Sequence, residues 1–180
     1  MVQRSKQIFI ITGHTGSGKT TFLQNLVETI MKEGYSVTGF LAPLSLSDSQ
    51  NQSYEIQNIE TRKCIPLASR KAISGWIKTG GFYFNPEAIN AGNNILRIPA
   101  ILNSDLIIVD EVGPFELDDK IWAHSISRLL SLPDITMILV VRIKLVQNVI
   151  EKWNLKITDI INIEFVTVTE ASKMIISKLK

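Results

Sequence analysis

Cysteine is all but missing from this 180-residue chain: Cys64 stands alone, which excludes an intrachain disulfide and any metal site built from several cysteines of one chain. A reducing, cytoplasmic setting is the expectation that follows. Long apolar runs are missing too, since no stretch approaches the ~20 residues of a membrane-spanning helix. Arg4 and Lys6 precede Ile8 to Ile11, but that run is shorter than the apolar region of a leader and ends in glycine-rich sequence. Nor is there an excess of one charge. Nineteen Lys and Arg against 17 Asp and Glu leave +2, so no nucleic-acid surface is evident. No internal repeat or inter-domain linker interrupts the chain. The expectation is one domain over 1–180, long enough to bury roughly 70% of the surface of the unfolded chain.

What is present is an alternation of short buried-strand patterns and amphipathic helices. Gln7 to Thr12 is a nearly continuous apolar run, as in a strand covered on both faces of a parallel sheet. Thr20 to Glu33 places Phe22, Leu23, Leu26, Val27, Ile30 and Met31 at helical spacing before Gly34. Ser36 to Ala42 reads as a second strand. Pro43 to Gln52 is rich in Ser, Asp, Asn and Gln and reads as a mobile surface loop. Tyr54 to Ile59 and Lys63 to Leu67 flank Glu60-Thr61-Arg62 as a hairpin projecting from the main sheet, and Gly80 to Phe84 adds a short strand, so that 43–84 forms an insertion. Pro86 opens a helix reaching Leu102. Asp105 to Val109 reads as strand, Leu117 to Leu132 as helix, Ile135 to Val141 as strand, Leu145 to Trp153 as helix, Ile160 to Val168 as strand and Glu170 to Leu179 as helix. Trp76, Trp122 and Trp153 fall in or beside these elements and are assigned to packing.

Between the first strand and helix lies Gly13-His14-Thr15-Gly16-Ser17-Gly18-Lys19-Thr20, the spacing of a P-loop. Glycines admit backbone conformations that turn successive N–H groups into one hollow, and the following helix N-terminus adds its positive end. A glycine-rich turn without a ligand shares the glycines; the ordered Lys and hydroxyl between strand and helix point to a nucleoside triphosphate, ATP or GTP. Lys19 is assigned to the β- and γ-phosphates and Thr20 to Mg²⁺, with Thr21 available to the α-phosphate. His14 sits at a variable loop position bordering solvent or the base.

A second acidic signal follows an apolar strand: Leu106-Ile107-Ile108-Val109-Asp110-Glu111. A solvated acidic turn would look the same in isolation. Beside a P-loop, the pair reads as Asp110 holding Mg²⁺ directly or through water, and Glu111 orienting or deprotonating an attacking water. Arg142, at another strand end, is a candidate for the γ-phosphate as an internal arginine finger, or for a solvated strand cap together with Lys144.

Asp110-Glu111-Val112-Gly113-Pro114-Phe115-Glu116-Leu117, taken with the P-loop, resembles the thermophile-type nucleoside-triphosphatase family, closest to its uncharacterised bacterial relatives. Tyr54 to Arg62, Pro66-Leu67-Ala68 and Gly92-Asn93-Asn94-Ile95-Leu96 add to the resemblance. Phe115 departs from it where Met or Leu is common, and His14 where Pro is common. The resemblance implies a three-layer α/β fold, a RecA-like mainly parallel sheet with helices on both faces, and slow Mg²⁺-dependent hydrolysis of several nucleoside triphosphates. Two alternatives stay open: a nucleotide or nucleoside kinase whose acceptor pocket comes from 43–103, and a nucleotide-switched accessory protein with a protein partner. No Asn-Lys-x-Asp sequence marks guanine preference.

Overall fold

The computed structural model describes residues 5–45 and 53–179. Most of the polar loop expected after Pro43 therefore lies outside the described residues; at its edges Ser45 N–H donates to the Ser53 carbonyl at 2.8 Å. Among the described residues nine strands form one sheet: β1 (Gln7–Gly13), β2 (Val37–Leu41), β3 (Tyr54–Asn58), β4 (Cys64–Ser69), β5 (Ile77–Thr79), β6 (Phe82–Phe84), β7 (Leu106–Val112), β8 (Thr136–Arg142) and β9 (Asp159–Asn162). Their order is β5-β6-β4-β3-β2-β7-β8-β1-β9. From β2 to β9 every pairing is parallel, and from β3 outward every pairing is antiparallel.

Side chains alternate across a strand, and that alternation builds two cores from one run of sequence. Ile8 and Ile10 enter one cluster with Phe40, Val109, Trp122 and Leu139; Phe9 and Ile11 enter the other with Leu23, Leu26, Ile108 and Val140. Helices α1 (Lys19–Lys32) and α7 (Val168–Leu179) cover the second face, while α2 (Pro86–Ile95), α5 (Ala123–Leu130) and α6 (Val146–Trp153) cover the first. The expected α/β layering is therefore present. On α1, Leu23, Leu26, Val27 and Ile30 are at most 2% exposed, each burial stabilising by about 2 kcal/mol.

Helix boundaries depart from the sequence reading where the backbone forbids continuation. The helix expected from Pro86 to Leu102 stops at Ile95, and a short α3 (Ile98–Ile101) follows, because Pro99 has no N–H for the helical ladder. Pro86 does open α2, capped by Asn85, whose side chain accepts the Glu87 N–H at 3.0 Å. The helix expected from Leu117 to Leu132 is two: α4 (Pro114–Leu117) and α5, separated by Asp119 (φ 61°) and Ile121 (φ 55°) in left-handed conformation. Lys152 of α6 spans the break, donating to the Leu117 carbonyl at 3.0 Å and pairing with Asp119 at 2.7 Å. The strand expected from Ile160 to Val168 ends at Asn162, whose side chain accepts the Glu164 N–H at 3.0 Å and turns the chain. Thr167 and Glu170 then exchange hydrogen bonds as a capping box for α7. Strand β7 runs past Val109 to Val112, so Asp110 and Glu111 belong to the strand itself.

The insertion continues the sheet. Hairpin β3–β4 turns at 59–63, where Arg62 has φ 60°, and β3 pairs with β2, while β4 pairs with β6. Gly92 on α2 lets this half close, since a Cβ there would lie 2.6 Å from the Trp122 ring and 2.9 Å from Ile56. Trp122 is buried as expected; Trp153 is half-buried and donates to Ser127 Oγ at 2.8 Å, and Trp76 is half-buried.

Candidate functional site

Strand order decides what meets at the site. β8 lies between β1 and β7, with Gly13 in register with Arg142 and Val112 with Val141. The C-terminal ends of three neighbouring strands thus bring the P-loop, Arg142 and the Asp110-Glu111 pair together. In an open parallel sheet this is the edge where the following loops and helix N-termini converge on a ligand.

The loop takes a shape that only glycine adopts without strain at two points. Gly16 has φ 77° and Gly18 has φ 88°, and Gly18 sits at the N-cap of α1. His14, Thr15, Ser17 and Thr21 are exposed on the loop and first turn. Lys19 is 8% exposed, and its ammonium donates to the carbonyls of His14 (2.8 Å) and Gly13 (3.3 Å), folding back across the loop. Burial holds its pKa below the usual lysine range, and the Arg142 charge adds to that, while Glu111 and Asp110 oppose it.

Thr20 Oγ1 donates to Asp110 Oδ2 at 3.1 Å, joining residues 90 apart in sequence. The Ala42 N–H donates to the same oxygen at 3.0 Å. Asp110 is 2% exposed, and burial pushes its carboxyl up to about 6, with neighbouring Glu111 adding to the rise. Such a group is costly to ionise unless a cation shares its pocket. The hydroxyl and carboxylate beside the loop are hard oxygen donors of the kind Mg²⁺ takes while keeping several waters. One hydroxyl and one carboxylate fit a cation that takes few protein ligands.

Glu111, half-buried, accepts a hydrogen bond from Arg142 Nε. Arg142 thus has a carboxylate partner, where the sequence left a γ-phosphate ligand and a solvated cap as alternatives. Farther along, Glu116 Oε2 accepts the Gly113 N–H at 2.8 Å, and burial pushes the Glu116 carboxyl up to about 8. That residue lies in the motif carrying the family resemblance, yet sequence reasoning gave it no role.

Glu164 was also missed, because it fell inside the expected Ile160 to Val168 strand. It follows β9 and reaches the P-loop, its Oε1 accepting the His14 N–H at 3.2 Å and meeting His14 Nδ1 at 2.5 Å. These hydrogen bonds hold the Glu164 carboxyl below the usual range. No sequence signal ties these two residues; only the β1–β9 pairing places them side by side.

A family model described as NTPase matches residues 8–178. The chain belongs to this NTPase family. It is 28% identical over 153 residues to the nucleoside-triphosphatase THEP1 of Methanothermobacter thermautotrophicus, covering 82% of this chain and 83% of that protein. To the protein of the same name from Sulfolobus acidocaldarius it is 30% identical over 123 residues, 67% of this chain and 69% of that one. The fold matches the crystal structure of THEP1 from Aquifex aeolicus with a TM-score of 0.67 at 20% identity, over 97% of this chain and 99% of that one. In this member of the NTPase family the P-loop and the acidic strand end occupy one sheet edge.

Proposed function

We propose that this NTPase hydrolyses the β–γ bond of nucleoside triphosphates, ATP and GTP among them, with Mg²⁺ as its cation. The observation that carries the reading is the meeting of Lys19, Thr20, Asp110, Glu111 and Arg142 at the ends of β1, β7 and β8. Main-chain N–H groups from Gly13 to Thr21 cradle the phosphates, and the Lys19 ammonium exchanges its loop carbonyls for β- and γ-phosphate oxygens. Thr20 and Asp110 would hold Mg²⁺, which would offset charge on the phosphate oxygens when bound.

Glu111 orients the attacking water and accepts its proton as the water oxygen bonds to the γ-phosphorus. The bond from phosphorus to the β–γ bridging oxygen breaks, and the diphosphate leaves with that electron pair. Arg142, through its hydrogen bond to Glu111, fixes the direction of the carboxylate and adds positive charge beside the transferred group. His14 and Glu164 brace the outer wall of the loop. Several nucleotides are expected as substrates, as the family resemblance implies.

Phosphate release from ATP, GTP, CTP and UTP, measured with Mg²⁺ and again with chelator in excess, tests the reading. Release from more than one nucleotide that stops on chelation is expected. Release unaffected by chelation would remove the cation from the account, and no release at all would remove the activity.

A further inference from the structure

Beside Glu111 the structure holds more space than hydrolysis uses. A cavity of about 220 Å³ lies between the antiparallel strands and the 111–122 segment, with Glu111 and Arg142 in its lining. A water needs only about 15 Å³ of such space and two or more polar partners. Most of the wall here is ring and methyl: Phe82 and Phe84 of β6, Phe115 of α4 and Trp122. The rings are set at fixed angles. Phe84 and Phe115 pack edge-to-face with centroids 4.9 Å apart, and Tyr54 packs on Phe82 at 6.0 Å. A chamber walled mostly by rings admits apolar guests.

Its polar groups are few. Glu111 and Arg142 stand on the side of the phosphate cradle, and Glu116, 3% exposed, is a single acid in the apolar wall. A mostly apolar pocket with a few convergent polar groups is the form of a small-molecule site. The volume falls below the ~300 Å³ at which drug-sized ligands begin to fit, so a second nucleotide is excluded and one small ring system is not. Flat rings in the wall favour a flat, aromatic guest.

We infer that this cavity is the acceptor site for a small aromatic alcohol of one or two rings, whose hydroxyl meets Glu111 and takes the γ-phosphoryl group in place of water. The inference rests on the triphosphatase reading, because it uses the same cradle and the same carboxylate. In the transfer the alcohol oxygen bonds to the γ-phosphorus and its proton passes to Glu111. The phosphorus bond to the β–γ bridging oxygen breaks, and that oxygen leaves with the electron pair on the nucleoside diphosphate. The products are a phosphate monoester and the diphosphate; hydrolysis is the same step with water in the chamber.

The test supplies the full chain with ATP, Mg²⁺ and either benzyl alcohol or 2-naphthylmethanol, with cyclohexylmethanol as the non-aromatic control, and follows ³¹P NMR. Expected is a phosphomonoester from the aryl alcohols at least tenfold above the control, with ADP equal to the sum of monoester and inorganic phosphate. Phe82→Ala lowers transfer at least fivefold while phosphate release to water stays within twofold. Phe82→Leu, which keeps most of the volume, serves if the alanine variant does not fold, and is expected to lose transfer less. Saturation-transfer NMR with ADP and Mg²⁺ reads alcohol binding without turnover. Phosphate release without monoester, whether or not the alcohols bind, overturns the acceptor site and leaves the triphosphatase standing. Loss of both products overturns the triphosphatase reading and the acceptor site with it.

Discussion

Along β1, β7 and β8, apolar runs end in Gly13, Asp110-Glu111 and Arg142, whereas β4 and β6, farther along the same sheet, carry Leu67, Ala68, Phe82 and Phe84 into the adjoining cavity. The parallel half delivers charge to one edge, and the antiparallel half delivers apolar surface beside it. Charge handling and shape are thereby separable. In the proposed mechanism Lys19, Asp110 and Glu111 set the electrostatics of the phosphate, and in the proposed acceptor site the rings decide what else shares that space. The partition follows from topology: each parallel strand feeds a loop at the same edge, while antiparallel strands pair through short connections and leave a face to be covered.

Substitutions break this comparison in order of expected effect. Lys19→Ala removes the ammonium proposed to meet the phosphates and is expected to lower kcat/KM by about 10³-fold, the scale seen when one preorganised charge-stabilising donor is lost. Steady-state phosphate release checks it. Glu111→Gln keeps the shape and the Arg142 contact but not the basicity. Turnover is expected to fall about 100-fold with triphosphate affinity unchanged by calorimetry, and equal loss of both would assign Glu111 to binding.

Glu116 sharpens the boundary between the halves, for it is a carboxyl buried among rings. Its folded pKa of about 8 lies above the 4.5 of the free group, so the folded chain holds a proton that the unfolded chain releases. Stability from this group is complete below about 4.5 and declines as pH rises toward 8. Urea melts from pH 5 to 9 are expected to show a flatter pH profile in Glu116→Gln than in the parent. Gly92→Ala gives the smallest effect. The clash with Trp122 and Ile56, ~2 kcal/mol, exceeds the ~1 kcal/mol gain in helix propensity. The unfolding free energy from urea melts is expected to drop by that difference while phosphate release per folded molecule is retained.

The parallel half was largely legible in the sequence, and physics says why. Strands buried on both faces need near-continuous apolar runs, as in Ile8 to Ile11 and Leu106 to Val109, and the P-loop carries its own spacing. Strand β5 was not anticipated: Ile77 and Lys78 are exposed, so Ile77–Thr79 shows no periodicity. Ile160 to Val168 misled because β-branched residues favour strand locally, while Asn162 and the Thr167–Glu170 box turn the chain into α7. Arg142 was visible as a strand end, but its pairing with Glu111 depends on β8 lying between β1 and β7. The cavity was the least legible feature, since Tyr54, Phe82, Phe115 and Trp122 are brought together only by tertiary packing.

In the proposed mechanism water attacks the γ-phosphorus. Turnover of ATP with Mg²⁺ in ¹⁸O-enriched water, followed by mass analysis of both products, reads the position of attack. One labelled oxygen is expected in the released phosphate and none in ADP; label in the ADP would place the attack on the β-phosphorus and overturn the mechanism.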